Sequence, residues 1–163
     1  MESKIEGTSI RLLDELYEIE KKCFKEEAFP KQQIAHLLED YNSVSLIARV
    51  NSEIAGFIIA QINVERKLSF GHILTIDVLP IHQRKGIAKQ LLKEIEKILK
   101  EKGALECRLE VREDNAAASS LYQKLGYQKI AKLEHYYGDA HGLYLKKFLQ
   151  EKASDDSVCS TSC

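Results

Sequence analysis

The segment 76–92 constrains the fold more than any other part of the chain. It begins as an apolar run, passes through Pro80 and a short basic turn, and continues with the apolar spacing of an amphipathic helix. A helix that starts at Gly86 has unpaired backbone N–H groups and the positive end of its dipole at that point. Because such helix ends bind phosphate, the segment predicts a strand–turn–helix unit with a phosphate or pyrophosphate site at the turn.

The side chains at this turn suit an anionic ligand. Gly86 and Ala88 place little bulk between the first helical N–H groups and a ligand, and positive charge comes from Arg84, Lys85 and Lys89. No Gly-Lys-Ser/Thr sequence follows, which argues against a Walker-type nucleotide loop. One glycine stands where a Rossmann fingerprint needs three, which argues against that class. The turn by itself does not identify the phosphorylated ligand.

The order of the apolar patterns predicts an α+β domain with a mixed, largely antiparallel central sheet flanked by helices. Strands are expected at 4–9, 44–50, 54–64, 70–78, 105–112, 128–134 and 143–148. Helices are expected at 12–24, from 31 onward, at 86–102 and at 116–125. The three strands between 44 and 78 should form an antiparallel meander, and the helix at 86–102 should cross over to a parallel neighbour.

Length, charge and hydropathy exclude several classes of protein. A chain of 163 residues supports one domain, expected at 1–149, followed by a polar tail at 150–163 that is expected to be disordered. The formal net charge of −1 argues against a general nucleic-acid binder. No apolar run approaches the roughly 20 residues that cross a bilayer, and the polar N-terminal residues do not form a signal peptide. The expected location is therefore the cytoplasm, with no membrane partner.

The cysteines and histidines do not predict a metal site. The four cysteines lack ligand spacing, so Cys23 and Cys107 are expected to be buried free thiols. Whether Cys159 and Cys163 of the tail form a disulfide is left open. The histidines, among them His72, are expected at surface or loop positions without a role in function.

Two groups of residues together resemble the GNAT N-acetyltransferases. The first, Gln83-x-x-Gly86-x-Ala88 after a strand that ends at Val78, is similar to the acetyl-CoA motif Q/R-x-x-G-x-G/A of that family. The second is similar to the family's next motif and consists of Leu109-Glu110-Val111-Arg112, Asn115-x-Ala117-Ala118 and Leu121-Tyr122-x-x-x-Gly126-Tyr127. The resemblance extends over 4–149 and implies the GNAT fold.

Within this family the chain most resembles the ribosomal-protein-alanine and archaeal protein N-terminal acetyltransferases. Phe29-Pro30, the Leu-Glu-Val-Arg strand and Tyr136-Tyr137 carry this closer likeness. It implies transfer of an acetyl group from acetyl-CoA to the α-amino group of a protein N-terminus, by direct attack in a ternary complex and without a metal. An association with the ribosome or a ribosomal protein is a further implication.

The resemblance assigns acetyl-CoA to the strand edge and the turn. The backbone of Ile76, Asp77 and Val78 is expected to pair with the pantetheine arm, and the N–H of Val78 to hold the oxyanion. Asn115, by pattern a helix N-cap, is expected to contact CoA together with Tyr122. The pyrophosphate is expected at Gln83, Arg84, Lys85, Gly86, Ile87, Ala88 and Lys89.

The resemblance also assigns Glu110 as general base and Tyr122 as general acid. By alternation alone, Glu110 is one of several polar residues on one strand face and is equivalent to Glu106. An α-ammonium group with a pKa near 8 must lose a proton before it attacks, and a carboxylate can accept that proton directly or through water. Tyr122 is by pattern a core aromatic, whereas the resemblance places its phenol at the CoA sulfur, where it protonates the leaving thiolate.

The acceptor site is expected at Phe29, Pro30, Tyr136 and Tyr137, and the acidic pair at 26–27 suits the charge of an amine. Two alternatives to an α-amine acceptor remain. One is acetylation of a polyamine or of protein lysines, although a lysine amine with a pKa near 10.4 needs a more strongly deprotonating site. The other is a CoA-binding regulatory module without activity, against which the presence of both catalytic candidates argues.

Overall fold

The computed structural model describes residues 3–150, which form one sheet with helices on both faces. The α-helices are α1 (Leu13–Phe24), α2 (Lys31–Glu39), α3 (Ile87–Glu101) and α4 (Ala116–Lys124). The strands are β1 (Lys4–Gly7), β2 (Ser43–Val50), β3 (Glu53–Glu65), β4 (Leu68–Val78), β5 (Glu106–Arg112), β6 (Gln128–Leu133) and β7 (Gly142–Phe148). The tail from residue 151, with the open question of a Cys159–Cys163 disulfide, lies outside the described residues.

The strand order of the sheet is β1-β2-β3-β4-β5-β7-β6. Every neighbouring pair is antiparallel except β4 and β5, which are parallel and are joined by α3. This arrangement confirms the predicted α+β class, the antiparallel meander of β2, β3 and β4, and the parallel crossover. The ends of the elements differ from the predicted ends by one or two residues.

Each face of the sheet has its own apolar core. On one face, here called the α3 face, α3 and α4 pack over a cluster that includes Ile58, Leu92 and Leu109. On the other, the α1 face, α1 and α2 bury Leu16 and Phe57. Helices of 9 to 15 residues are marginal by themselves, so their stability comes from the burial of these apolar stripes.

A glycine in β4 allows α3 to lie close to the sheet. A Cβ atom on Gly71 would lie 2.5 Å from Cδ1 of Leu99, so a side chain there would force the Leu99 side chain to move. The close contact holds α3 over β4, and it places the first turn of α3 beside the end of that strand.

β4 and β5 pair over a short distance and then separate. Within residues 3–150, their ladder is limited to Phe70–His72 opposite 106–108. Leu74 is an extra residue in the β3–β4 ladder, because Ile59 pairs with Thr75 while the next residue pairs with Ile73. A bulge of this kind bends a strand. Beyond the bulge, and among the described residues, β4 pairs only with β3 and β5 only with β7. A strand gap therefore opens between 73–78 and 109–112.

The cysteine prediction is correct at one position and inexact at the other. Cys107 is a buried free thiol, as predicted, whereas the free thiol of Cys23 is only half-buried. Among the helices within 3–150, none has the length and apolar character that crossing a membrane requires.

Candidate active site

One edge of β4 faces the strand gap with its backbone. The N–H of Leu79 donates to the carbonyl of Ala55 in β3 at 2.9 Å. Because successive residues of a strand direct their backbone polar groups to opposite edges, those of Asp77 also face β3, whereas those of Ile76 and Val78 face the gap. The structure thus narrows the backbone edge expected for CoA to Ile76 and Val78.

The turn after β4 is tied back to this edge. The side-chain amide of Gln83 donates to the carbonyl oxygen of Val78 at 3.0 Å, and the thiol of Cys23 donates weakly to the same oxygen at 3.5 Å. Burial, followed by the nearby carboxylates, raises the pKa of Cys23 to about 12, so this group is a neutral thiol at neutral pH. Gln83 therefore positions the turn relative to the gap.

The first turn of α3 presents open N–H groups beside positive charge. Gly86 has φ +82°, and a Cβ atom there would meet nothing within 4 Å, so the backbone conformation and not space requires glycine. No side chain caps this helix start within the described residues. Ile87 and Ala88 are its first two residues, and the side chains of Arg84, Lys85 and Lys89 are exposed around it. The structure thus places the residues predicted for the pyrophosphate around one uncapped helix start, and their role there stays a prediction.

The α4 helix approaches the gap from the α3 face. Asn115 caps it, since its Oδ1 accepts the N–H of Ala118 at 3.1 Å, which confirms the predicted cap. Tyr122 is 6% exposed and its ring makes an edge-to-face contact with Tyr127 at 5.7 Å. Burial, followed by the proximity of Tyr137, raises the pKa of the Tyr122 phenol, which therefore stays protonated.

A histidine that the sequence did not indicate lies against the predicted base. Nε2 of His72 is 2.7 Å from Oε2 of Glu110, and the two side chains are partly buried. Both lie on the α1 face, because Leu109 and Val111 of β5 point into the α3-face core. The expectation that His72 lies on the surface or in a loop was wrong: it is partly buried at the last position of β4 that pairs with β5, where the two strands begin to separate.

The two glutamates of β5 that sequence alternation could not distinguish have different environments. Glu106 is buried and accepts from Nε of Arg108 at 3.0 Å, with Nζ of Lys146 at 3.3 Å. It serves as the centre of an ion-pair cluster in the sheet. Glu110 instead contacts His72 beside the strand gap, where a reacting group can reach it.

Two loops border the α1 face of the gap, and we call them the rim loops, 25–30 and 134–141. Arg112, the last residue of β5, contacts both: it bonds Glu27 of the first loop, and its Nη2 is 3.6 Å from Asp139 of the second. Its guanidinium also lies 5.6 Å from the ring centre of Tyr137. Glu27 is therefore engaged by Arg112, whereas the sequence suggested that it faces the acceptor amine.

The four residues predicted for the acceptor belong to these rim loops. Tyr136 and Tyr137 make an edge-to-face contact at 4.9 Å, and burial with a further contribution from the charge of Glu110 raises the pKa of both phenols. Phe29 is half-buried against the α1-face core, and Pro30 is the N-cap of α2. The structure thus brings the tyrosine pair near Glu110.

Comparison with known proteins identifies the family. The model of the Acetyltransferase (GNAT) family matches residues 13–127. The chain is 31% identical over 153 residues to an N-alpha-acetyltransferase of Sulfurisphaera tokodaii. This match covers 88% of the chain and 91% of the relative. It is 33% identical over 132 residues to the [Ribosomal protein bS18]-alanine N-acetyltransferase of Haemophilus influenzae, and the match covers 74% of this chain and 86% of the relative.

A solved structure shares the fold. The ribosomal-protein-S18-alanine N-acetyltransferase from Escherichia coli superposes with a TM-score of 0.84 at 23% identity, covering 94% of this chain and 98% of that one. The chain belongs to the GNAT acetyltransferase family. It is an acetyl-CoA-dependent N-acetyltransferase, and acetyl-CoA is its cosubstrate.

Proposed function

We propose that this enzyme acetylates the α-amino group of protein N-termini. The observation that carries the proposal is the His72–Glu110 pair, 2.7 Å apart on the α1 face where the strand gap opens. The rim loops stand on the same side, and their tyrosines are close enough to Glu110 for its charge to raise the pKa of both phenols. The names of the relatives from S. tokodaii and H. influenzae support an α-amine acceptor.

The donor side holds acetyl-CoA through main-chain groups. The backbone of Ile76 and Val78 receives the pantetheine arm, and the N–H of Val78 faces the gap, where it can stabilise an oxyanion. The open N–H groups that follow Gly86 receive the pyrophosphate, with Arg84, Lys85 and Lys89 around them. The bound cosubstrate supplies an acetyl group that is activated as a thioester.

Glu110 accepts the proton of the acceptor ammonium group, directly or through one water. An α-ammonium group with a pKa near 8 is mostly protonated at neutral pH, so this deprotonation is required before attack. Nε2 of His72 lies 2.7 Å from the carboxylate and orients it, and the protonated Glu110 returns the proton to solvent. The pair therefore acts as the base, with Glu110 as the group that meets the amine.

Tyr122 reaches the gap from the α3 face, opposite the His72–Glu110 pair. Full proton transfer from a phenol with a pKa near 10 to a thiolate whose thiol has a pKa near 8.5 is unfavourable by about 1.5 units, and burial raises the phenol pKa further. The expectation that Tyr122 fully protonates the leaving thiolate is therefore replaced by a weaker role. Tyr122 donates a hydrogen bond that stabilises charge on the departing sulfur, and solvent can complete the protonation.

The test is a panel of acceptors assayed by mass spectrometry and thiol release. It contains peptides with free α-amines, the same peptides with blocked α-amines and an internal lysine, and polyamines. Because one relative is named for the alanine of a ribosomal protein, alanine-first peptides from ribosomal proteins are the first to be measured. We expect acetylation of the free α-amines alone.

Each alternative has its own result in this panel. Acetylation restricted to blocked peptides or polyamines would show that the α-amine proposal is wrong. Binding of acetyl-CoA without turnover of any acceptor would favour the regulatory module. Glu53→Gln, an exposed glutamate at the β2–β3 turn, is the control for variants of Glu110.

A further inference from the structure

Three polar side chains are buried together beneath the first rim loop. Glu20 of α1 is 1% exposed, and Thr75 and Asp77 of β4 are 5% and 1% exposed. The Thr75 hydroxyl oxygen lies 2.7 Å from Oε1 of Glu20 and 2.7 Å from Oδ1 of Asp77. The other oxygen of Glu20 accepts the backbone N–H of Phe29 at 3.0 Å. The cluster thus joins α1, β4 and the loop at 25–30.

The number of protons in this cluster follows from its geometry. A threonine hydroxyl has one proton and can donate to one of the two carboxyl oxygens beside it. The second contact is a hydrogen bond only if that carboxyl group carries a proton and donates. One of the two carboxyl groups is therefore a neutral acid, and the buried cluster has a charge of −1 instead of −2.

The contacts place the proton on Asp77. Both oxygens of Glu20 act as acceptors, one from the Thr75 hydroxyl and the other from the N–H of Phe29. Burial, followed by the charge of Glu20, raises the pKa of Asp77 well above its ordinary value. Its Oδ2 has no hydrogen-bond partner within the described part of the chain, and an ionised carboxylate would need one.

The β4 bulge is what brings the cluster to the acceptor side. His72 and Thr75 are three residues apart, so a regular strand would direct their side chains to opposite faces. The extra residue at Leu74 puts both on the α1 face. The cluster therefore lies on the same face of the same strand as the base pair.

We infer that Glu20 is a positioning residue for the acceptor: held by Thr75 and a neutral Asp77, its carboxylate fixes the backbone of Phe29 relative to β4. The inference rests on the proposed function and on the family resemblance that assigns Phe29 to the acceptor site. The rim loop has a second anchor, the contact of Glu27 with Arg112. Glu20 acts at the end of the loop nearest α2, and it does not touch the reacting atoms.

The test compares substitutions of Glu20 with one at Glu15, an exposed residue on the same helix. Glu20→Ala removes the acceptor of the Phe29 N–H and should raise the peptide KM about tenfold, with kcat and the acetyl-CoA KM changed less than about twofold. Glu20→Gln should restore the peptide KM, because its amide oxygen can accept from Phe29 and its N–H₂ can donate to Thr75. Glu15→Ala should change none of the three.

A fall in kcat together with comparable rises in the peptide KM and the acetyl-CoA KM would mean a purely structural role and would overturn the inference. An unchanged peptide KM in Glu20→Ala would also overturn it. If Glu20→Ala does not fold, Thr75→Val gives the same comparison with a smaller expected rise in peptide KM. If the wild type acetylates no peptide, the proposed function fails, and amide exchange at Phe29 still tests the anchor. Faster exchange in Glu20→Ala than in Glu15→Ala supports it, and equal exchange rejects it.

Discussion

The donor and acceptor sides of the active site are built in different ways. The proposed donor side is one continuous segment, 76–89, which presents main-chain N–H groups at the start of α3 and has glycine at position 86 with positive φ. The proposed acceptor side is assembled from side chains of β4, β5 and both rim loops. A site made of backbone leaves a compact motif in the sequence, whereas a site made of side chains from distant segments does not.

The two sides also differ in charge. Arg84, Lys85 and Lys89 surround the donor turn and suit a phosphate-bearing cosubstrate. The acceptor side has carboxylates at Glu110 and around the rim, which suit an ammonium group, and Arg112 neutralises part of that charge while it joins the loops. Substitutions can therefore be chosen that affect one substrate and not the other.

The largest effect is expected at the base. Glu110→Gln should lower kcat at least about 100-fold, because the amide cannot accept the proton of the ammonium group, while the acetyl-CoA KM stays within about twofold. The measurement is thiol release under saturating substrates, with Glu53→Gln as the control. An unchanged kcat in Glu110→Gln would remove Glu110 from the mechanism.

The second prediction introduces a side chain at a residue with positive φ, once on the donor side and once on the acceptor side. Gly86 (φ +82°) and Gly138 (φ +78°) both have room for a Cβ atom, so valine at either one costs mainly conformational energy. A cost of about 1–2 kcal/mol corresponds to roughly a 5- to 30-fold loss of affinity. Gly86→Val should raise the acetyl-CoA KM by that factor, and Gly138→Val, in the second rim loop, should raise the peptide KM instead.

Steady-state titration of each substrate against both variants measures this difference. The comparison of the two sides would be contradicted if Gly138→Val raised the acetyl-CoA KM as much as Gly86→Val does. The comparison would be supported most strongly if each variant raised the KM of its own substrate by the same factor and left the KM of the other substrate unchanged.

A smaller effect is expected at the bridge between the rim loops. Arg112→Gln removes the ion pairs with Glu27, Asp114 and Asp139 and should raise the peptide KM about three- to fivefold, since both loops keep their other contacts. The acetyl-CoA KM should not change. Arg49→Gln, which breaks an ion pair with Glu6 at the far edge of the sheet, is the matched control. A loss in Arg49→Gln as large as in Arg112→Gln would mean a general loss of stability.

The smallest effect concerns stability and pH. Burial raises the pKa of Asp77, so the wild-type protein gains stability from the protonated carboxyl at low pH and loses it as the pH rises through that raised value. The titratable groups that face Asp77 are Glu20, Cys23 and Tyr122. The Asp77→Asn side chain is neutral at every pH. The Tm of this variant should therefore equal that of the wild type near pH 4 and exceed it by a few degrees at alkaline pH.

Thermal unfolding across this pH range measures the effect. Asp114→Asn provides a control of opposite sign, because Arg112 lowers the pKa of the exposed Asp114 carboxyl and its removal should cost stability at neutral pH. An Asp77→Asn variant that is less stable than the wild type at every pH would contradict the assignment of a proton to the Asp77 carboxyl group.

Local patterns of the chain are what made the donor side predictable. The apolar stripe of α3 identifies a helix because its period is 3.6 residues, and Gly86 identifies its start because few other residues adopt that backbone conformation. Asn115 identifies the start of α4 because its side chain can accept an N–H two or three residues ahead. Each of these signals depends on neighbours a few residues away, so the sequence alone determined the element order and indicated the turn that we propose as the phosphate site.

The acceptor side depended on contacts that no local pattern contains. Alternation gives the face of Glu106 and Glu110 but does not distinguish their environments; the pairing of β4 with β5 brings His72, 38 residues away in sequence, to Glu110. The bulge at Leu74 has no residue signature, yet it turns Thr75 and Asp77 toward Glu20 and opens the strand gap. Strand register, a bulge and a loop bridge are properties of the packed sheet, and for that reason only the tertiary structure decided which side chains form the acceptor site.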